Sequence, residues 1–106
     1  MVRHINNKSE FDAILASAGD QLVVVDFTAS WCGPCKGIAP YFQQLSEEYK
    51  DKVIFLKVDV DEASDVSQAC GISCMPTFQF YKNGQKVHEF SGANRDSLKT
   101  KVAELM

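Results

Sequence analysis

The segment Leu22–Phe27, with the sequence LVVVDF, constrains the fold more than any other part of the chain. Apart from one aspartate it is apolar, and its three successive valines favour an extended backbone because β-branched side chains pack well on a pleated surface. A nearly continuous apolar run of this length is typical of a strand that is covered on both faces. We therefore predict a central parallel strand.

Elements of alternating type surround this strand. Asn83-Gly84 lies between two strand-like runs and is the strongest short signal for a β-hairpin, so those two strands are predicted to be antiparallel neighbours. The resulting order βαβαβαββα predicts an α/β protein with a mixed central sheet and helices on both faces. The predicted elements are a strand Val2–Ile5, a helix capped by Asn7 and Glu10 and stopped by Gly19-Asp20, the strand Leu22–Phe27, a long helix from Cys32, a strand Lys52–Val60, a helix Ala63–Cys70, strands Thr77–Lys82 and Lys86–Gly92, and a helix Arg95–Met106.

Length and charge narrow the class of protein. A chain of 106 residues, 45% hydrophobic and 24% charged, is expected to form one domain, residues 1–106, with its own core. Its 11 basic and 14 acidic residues give a net charge of −3, and the basic residues are scattered, so neither a nucleic acid nor a membrane is an expected partner. No apolar run has the length of a signal peptide or a membrane span, so the expected location is the cytoplasm.

A pair of thiols, Cys32 and Cys35, is the main chemical feature of the chain. If Cys32 begins a helix, the spacing of three residues brings both side chains to one face, within reach of a disulfide. The positive end of the helix dipole lowers the pKa of Cys32, and a thiolate is the species that attacks a disulfide. Pro34 suits the first turn of a helix, and Gly33 lets another backbone approach the sulfur.

Two other interpretations of this pair remain. One is a zinc site completed by Cys70 and Cys74, although the distance between the pairs and the three-residue spacing of the second pair do not match common zinc motifs. The other is a structural disulfide, which leaves the neighbouring Trp31 and the Gly-Pro insert unexplained. In a reducing compartment four cysteines favour redox or metal chemistry over a disulfide framework.

Five segments, spread over nearly the whole chain, resemble thioredoxins, and the likeness is greatest to the cytosolic animal members of that family. The resemblance implies the thioredoxin fold and the activity of a protein-disulfide reductase that maintains cellular redox balance. The segments are Trp31-Cys32-Gly33-Pro34-Cys35, Val23-Val24-Val25-Asp26-Phe27, Val58-Asp59-Val60-Asp61, Met75-Pro76-Thr77-Phe78 and Phe90-Ser91-Gly92-Ala93.

The resemblance also implies the roles of the dithiol. Cys32 is expected to be exposed and to attack a disulfide of a target protein, and Cys35 is expected to resolve the mixed disulfide that results. Gly33 and Pro34 between them are expected to tune the redox potential toward a reductant. A thioredoxin reductase that draws on NADPH is the expected recycling partner, so the chain itself is expected to need neither a cofactor nor a metal.

Asp26 is an unusual residue within an apolar strand, because an aspartate is seldom fully buried. If it is buried, desolvation raises its pKa; otherwise it is an ordinary aspartate that reaches solvent at the end of the strand. The resemblance favours burial beneath the dithiol, with Asp26 as the base for Cys35, acting through water. Lys57 is expected either to neighbour Asp26 across the sheet or to extend its ammonium to solvent at the sheet edge.

Pro76 precedes a predicted strand and by itself is consistent with an ordinary proline at a sheet margin. The resemblance implies a cis Met75–Pro76 bond that faces the dithiol, and an apolar groove in which an extended substrate pairs with the Met75 backbone. The residues expected to border this groove are Trp31, Pro34, Met75, Pro76, Gly92 and Ala93.

The remaining cysteines and histidines are not needed by a reductase. Cys70 is expected to be a buried, inert thiol, whereas Cys74 is expected to be exposed in a loop. By resemblance Cys74 is a regulatory thiol that links two molecules into an inactive homodimer on oxidation. His4 and His88 belong to no cluster and are expected to face solvent.

Two functions from other classes remain as alternatives. The first is a non-catalytic binding module that uses the surface around Trp31, because a fold does not establish a function. The second is a structural zinc module. The reductase is expected in the cytoplasm, with the nucleus as a second location.

Overall fold

The computed structural model describes residues 1–106 and has five strands and four helices in the predicted order βαβαβαββα. The fold class predicted from the sequence is therefore confirmed. None of the helices is both long enough and apolar enough to span a membrane. The elements are β1 (Val2–His4), α1 (Lys8–Ala18), β2 (Leu22–Thr28), α2 (Gly33–Glu48), β3 (Val53–Asp59), α3 (Ser64–Ala69), β4 (Thr77–Lys82), β5 (Gln85–Ser91) and α4 (Arg95–Leu105).

The five strands form one mixed sheet in the order β1-β3-β2-β4-β5. Strands β1, β3 and β2 are parallel, whereas β4 is antiparallel to β2 and β5 is antiparallel to β4. The β4–β5 hairpin turns at Asn83 and Gly84, whose φ angles of 54° and 75° are both positive. A two-residue hairpin turn with this backbone requires such angles, which asparagine and glycine tolerate best, so the predicted hairpin is confirmed.

Two apolar cores, one on each face of the sheet, hold the helices in place. The first is formed by eleven buried residues, including Phe42 of α2, Phe78 of β4 and Leu98 of α4. The second is formed by nine, including Phe11 of α1 and Val66 of α3. Helices α2 and α4 therefore cover one face, and α1 and α3 cover the other.

Strand β2 lies at the centre of the sheet, and all seven of its residues are buried, as its apolar sequence predicts. Leu22 and Val24 belong to the core under α2, whereas Val23 and Val25 belong to the opposite core. Because successive side chains of a strand alternate between faces, Asp26 points to the side that α2 covers. The next element along the chain is α2 itself, so the fold brings Asp26 beneath the helix that begins with the dithiol.

Several element ends differ from the predicted ones by one residue. The predicted strand Val2–Ile5, for example, ends at His4, although Ile5 makes one further ladder hydrogen bond, from its N–H to the carbonyl of Lys57 at 2.9 Å. The ends of β2, β3, α3, β5 and α4 shift in the same way. Such shifts change no pairing of strands.

The predicted cap of α1 is half correct. The side-chain oxygen of Asn7 accepts a hydrogen bond from the Glu10 N–H at 2.9 Å, as a capping residue does. The Glu10 carboxylate, however, accepts from the N–H of Asn6 at 2.8 Å instead of closing back on Asn7. The reciprocal contact is thus displaced by one residue.

Two expectations about burial are corrected by the structure. His88 is half-buried, with its ring centroid 5.6 Å from that of Phe80 and 6.1 Å from that of Phe90, so it does not simply face solvent. Cys70 is also half-buried, because α3 ends there and its thiol lies beside the Tyr81 hydroxyl at 3.7 Å. His4 is exposed on β1, as expected.

Candidate active site

The dithiol lies at the start of α2, just after the end of β2. Cys32 is the N-cap of α2, and its sulfur accepts a hydrogen bond from the N–H of Cys35 at 3.2 Å. Gly33 and Pro34 form the start of the first turn, where the missing N–H of a proline costs no helical hydrogen bond. Cys32 and Cys35 are joined by a disulfide across a Cα–Cα distance of 5.3 Å. The two predicted thiols are therefore brought together on one face.

The two sulfurs differ in accessibility, but less than the sequence suggested. In the disulfide form Cys32 is 6% exposed and Cys35 is 1% exposed, so the expectation of an openly exposed Cys32 is wrong. Cys32 is covered partly by Met75, which packs against the small cluster that it forms with Ala29 and Cys35. Cys32 is thus the more accessible member of the pair, and Cys35 is almost fully buried.

Trp31, beside the dithiol, is 66% exposed. Its indole N–H donates a hydrogen bond to Asp61 Oδ2 at 2.9 Å. The Asp61 N–H in turn donates to Asp59 Oδ1 at 2.9 Å, which orders the turn that carries the acceptor. The hydrogen bond to Asp61 thus holds the large apolar side chain of Trp31 at the surface. An exposed aromatic side chain in a fixed position is typical of a surface that binds another protein.

Asp26 is 1% exposed, so the alternative that it reaches solvent at the strand end is wrong. Burial raises the pKa of its carboxyl to about 7, and the nearby Lys57 ammonium opposes that shift. Oδ1 of Asp26 is buried and has no hydrogen-bond partner. Lys57 pairs in register with Asp26 across β2 and β3, and β3 is an interior strand, so Lys57 neighbours Asp26 and is not at a sheet edge.

Two adjoining cavities lie next to this carboxyl and next to the dithiol. One, of about 220 Å³, is lined by Asp26, and the other, of about 210 Å³, is lined by Cys35. Three residues belong to both walls: His4, Ala39 and Lys57. Because a water molecule takes up roughly 30 Å³, both cavities have room for water between the carboxyl and the sulfur.

The Met75–Pro76 peptide bond is cis, as the resemblance implied. The Met75 carbonyl oxygen lies 3.8 Å from Cys32 Sγ, so this loop faces the dithiol. The Gly92 N–H donates to the Pro76 carbonyl at 2.9 Å and ties the end of β5 to the loop. Gly92 and Ala93 line a shallow cavity of their own, which includes neither Trp31 nor Met75. Of the predicted groove residues, Met75 packs against the dithiol, Trp31 and Pro34 adjoin it in the chain, and Gly92 is hydrogen-bonded to Pro76.

A comparison with models of protein families identifies the family of this chain. The family model for thioredoxin matches residues 2–104, which is nearly the whole chain. The chain belongs to the thioredoxin family. The resemblance that the five segments indicated is therefore confirmed over the full fold.

Individual thioredoxins agree with this assignment in sequence and in structure. The chain is 64% identical to a thioredoxin of Ictalurus punctatus over 104 residues, 96% of each chain, and 58% identical to that of Homo sapiens over 106 residues, 100% of each. Among solved structures, the thioredoxin of Fasciola hepatica superposes with a TM-score of 0.95 at 36% identity, covering 98% of this chain and 99% of the other. Plasmodium falciparum thioredoxin gives 0.91 at 44% identity, with the same coverage.

As a thioredoxin-family protein, the chain is a protein-disulfide oxidoreductase that acts by dithiol–disulfide exchange at Cys32 and Cys35. Thioredoxins act on disulfide substrates and are reduced by thioredoxin reductase, and the animal members of the family are cytosolic. The alternative of an inactive binding module loses its support. No three His, Cys, Asp or Glu side chains are grouped in a way that could hold a metal ion.

The two remaining cysteines lie in different surroundings. Cys74 is exposed, as predicted, and its sulfur lies 3.3 Å from the Ser91 hydroxyl oxygen. That hydrogen bond is the main reason why the pKa of the Cys74 thiol is lowered. The Ser91 hydroxyl is itself paired with Thr77 Oγ1 at 2.8 Å. Burial, by contrast, raises the pKa of the Cys70 thiol.

Sequence reasoning misses the partners that hold these groups. Asp61, Ser91 and Thr77 all lie within the segments that resemble thioredoxins, yet nothing in their local pattern marks them as contacts of Trp31 or Cys74. His4 is missed as well, because it is far from the dithiol in sequence. One feature of the sequence could have indicated the position of His4. If the short first strand pairs in parallel with the strand that contains Lys57, His4 and Lys57 lie near one another.

Proposed function

We propose that Cys32 is the attacking thiolate, Cys35 the resolving thiol and Asp26 the base for Cys35. The observation that carries the proposal is the N-cap position of Cys32, whose sulfur accepts the Cys35 N–H at 3.2 Å and is the more accessible of the two. Unpaired N–H groups and the positive end of the helix dipole stabilise negative charge on that sulfur. Cys35 has neither the access nor the capping position.

The proposed reaction has two exchange steps. The Cys32 thiolate attacks one sulfur of a target disulfide, forms a mixed disulfide and displaces the other target sulfur as a thiolate, which takes a proton from solvent. Cys35 then loses its proton to Asp26 through water, attacks Cys32 Sγ and displaces the second target sulfur as a thiolate, which also takes a proton from solvent. Two electrons pass from the dithiol to the target disulfide. Reduction by thioredoxin reductase with NADPH restores the dithiol.

The adjoining cavities support the role of Asp26. Its pKa of about 7 leaves the carboxyl partly ionised at neutral pH, and a base is most effective when its pKa is near the working pH. The unpartnered Oδ1 and the cavity of about 210 Å³ next to Cys35 fit a proton transfer through water. Lys57 opposes the cost of the anion from the neighbouring strand.

The test of the overall function is reduction of insulin disulfides by the chain in the presence of NADPH and a thioredoxin reductase. We expect NADPH consumption that depends on the chain and is lost in Cys32→Ser. Binding of insulin without consumption of NADPH would instead support the non-catalytic binding module. A Cys70→Ser variant is the matched control, because that thiol lies away from the exchange reaction, and it is expected to retain the rate.

We further propose that Trp31, Pro34, Met75, Pro76, Gly92 and Ala93 border the surface that receives the substrate. The Met75 carbonyl oxygen lies 3.8 Å from Cys32 Sγ, where an extended substrate chain can pair with this loop. The exposed indole of Trp31, held by Asp61, supplies apolar contact area next to the reacting sulfur.

Trp31→Ala is expected to raise KM for a protein disulfide such as insulin by roughly tenfold, the usual cost of removing a buried aromatic anchor from an interface. The rate with a small disulfide such as oxidised lipoamide is expected to change little, because a small substrate does not reach the indole. Steady-state kinetics with both substrates makes the comparison. An equal loss with both would place Trp31 in the chemistry instead of in docking.

Cys74 is proposed as a regulatory thiol that links two molecules. Its exposure and its lowered pKa favour the thiolate that reacts with an oxidant, and Trp31 offers apolar surface that a second copy can cover. Peroxide accepts two electrons from two Cys74 thiols, which gives one intermolecular disulfide and two molecules of water. The dithiols of both copies are then covered, and activity is lost until reduction.

We also propose a location for the protein. We place it in the cytoplasm and in the nucleus, the nucleus by analogy with the thioredoxin family alone.

After mild peroxide treatment, wild type and Cys70→Ser are expected to form a dimer on non-reducing electrophoresis, whereas Cys74→Ser is not. Ser91→Ala is expected to dimerise more slowly, because the thiol loses the hydrogen bond that is the largest cause of its lowered pKa. An equally abundant dimer in Cys74→Ser would refute the proposal. If the dimer forms but insulin reduction is not lost, Cys74 links two molecules without regulating activity.

A further inference from the structure

Three titratable side chains stand in one row across the sheet. His4 of β1 pairs in register with Lys57 of β3, and Lys57 pairs in register with Asp26 of β2. Side chains of directly opposed residues lie on the same face of a sheet, so all three point to the side that α2 covers. The row therefore leads from the edge strand inward to the buried carboxyl.

His4 is part of the wall of both cavities described above, together with Lys57 and Ala39. Its side chain is 54% exposed, and its Nε2 lies 3.6 Å from Glu62 Oε1 at the surface. One imidazole thus borders the space next to Asp26, the space next to Cys35 and the solvent. No other residue with a side chain that ordinarily titrates near neutral pH has this position in the fold.

The proposed role of Asp26 creates a need for such a residue. Every resolving step leaves the Cys35 proton on Asp26, and Asp26 is 1% exposed with its Oδ1 unpartnered. That proton must leave before Asp26 acts as a base again. The exit has to run through the cavities, because the rest of the Asp26 surroundings is the packed core under α2.

We propose that His4 is a positioning residue for the resolving step, because it carries the proton between Asp26 and solvent at the outer wall of the two cavities. The inference rests on the role of Asp26 proposed above and extends it. The Cys35 proton passes to the Asp26 carboxylate, then through water in the cavity to the imidazole, and from the imidazole to Glu62 or bulk water. The balance closes over both steps, because the two protons lost by Cys32 and Cys35 replace the two that the displaced target thiolates take from solvent.

The charges around His4 come from three further elements. Lys57 and Asp59 face it from β3, Lys36 from α2, and Glu62 from the turn after β3. Asp26 of β2 borders the first cavity together with His4, so the groups around the imidazole carry charges of both signs. An imidazole has one ring nitrogen that accepts and one that donates, which suits it to pass a proton between water in the cavity and water outside.

The test is the rate at which a preformed mixed disulfide on Cys32 is resolved in a single turnover between pH 6 and 9. His4→Gln is expected to slow this step by roughly three- to tenfold at pH 7, a small part of what proton transfer contributes to catalysis. Added imidazole is expected to restore the rate, which a merely structural role of His4 would not allow. His88→Gln, at the other histidine, is the matched control and is expected to keep the wild-type profile.

A double variant separates this inference from the proposed function. In an Asp26→Asn background, His4→Gln is expected to have no further effect, because the proton that it carries is no longer delivered. If Asp26→Asn is slow while His4→Gln alone is normal, the inference about His4 is overturned and the role of Asp26 survives. If Asp26→Asn is itself normal, the proposed base fails and the inference falls with it. If His4→Gln slows the resolving step and added imidazole does not restore the rate, His4 has a structural role and the inference is overturned.

Discussion

Cys35→Ser is expected to accumulate mixed disulfides with target proteins, whereas Cys32→Ser is expected to accumulate none. In the first variant the attacking thiolate is intact, but the group that resolves the bond to the target is missing. In the second, the remaining Cys35 is 1% exposed and lies behind Cys32, so it cannot begin the reaction. Insulin reduction is expected to fall by roughly 10³-fold or more in both, as for loss of a catalytic nucleophile.

The trapping experiment needs a background without the exposed thiol. Cys74 is free and accessible, and it would itself form mixed disulfides with target proteins. Both substitutions are therefore made in Cys74→Ser, and the trapped species are separated on non-reducing gels and identified after reduction. Equal trapping by the two variants would mean that either cysteine can attack first, which would contradict the assigned roles.

Asp26→Asn is expected to slow the resolving step by roughly ten- to a hundredfold at pH 7, at the lower end of what a positioned base contributes. In the wild type, the rate is expected to rise as pH increases through about 7, because the carboxyl ionises there. In the variant this rise is lost, and the rate is expected to increase only at higher pH, where hydroxide deprotonates Cys35. Stopped-flow measurement from pH 6 to 9 compares the two profiles. Asp20→Asn, an exposed aspartate at the other end of β2, is the matched control.

The same substitution is expected to change stability in a pH-dependent manner. The pKa of Asp26 is raised in the folded state to about 7, above its unfolded value, so the folded chain binds the extra proton between those two values. The stability that this group contributes is therefore full below the unfolded pKa and is lost progressively as pH rises to about 7. Each pKa unit corresponds to about 1.4 kcal/mol, so ionisation of Asp26 costs a few kcal/mol by pH 8.

The amide that Asp26→Asn introduces carries no charge, so its own cost is the same at all pH values. We expect Asp26→Asn to increase the melting temperature relative to wild type more at pH 8 than at pH 5, measured by calorimetry. The difference between the two pH values is the informative quantity, because it cancels the cost of burying the amide. If the increase in melting temperature over wild type is the same at pH 5 and at pH 8, the Asp26 carboxyl does not become charged while it is buried.

Local features of this chain are evident from the sequence because their physics is local. The apolar run at β2, the Asn83-Gly84 turn and the helix that opens at Cys32 each depend on neighbours within a few residues. The dithiol is the clearest case, since three residues of helix bring Cys35 back to Cys32 whatever the remaining fold does. The roles of the groove residues came from resemblance, and no local pattern carries them.

The meeting of distant side chains depends on strand pairing, which no local pattern specifies. Asp26 and Lys57 are partners because β3 pairs with β2 in one particular register, and a slip of one residue would turn Lys57 to the opposite face. The same holds for His4, which reaches the cavity wall only because β1 adds to β3 on the far side.

The burial of Asp26 and Cys32 could not be predicted from the sequence either. One aspartate in an apolar strand is equally consistent with a solvated strand end and with a desolvated carboxyl, and only the position of α2 over β2 makes Asp26 1% exposed. Packing also reduced Cys32 to 6% exposure, against expectation, because Met75 lies over it from a loop 43 residues further along the chain. The reactive pair is thus readable from the sequence, whereas its distance from solvent and the base beneath it follow from the packed fold. The physical reason is that thiol spacing is set by backbone geometry within one helical turn, whereas desolvation is set by every element that packs around the site.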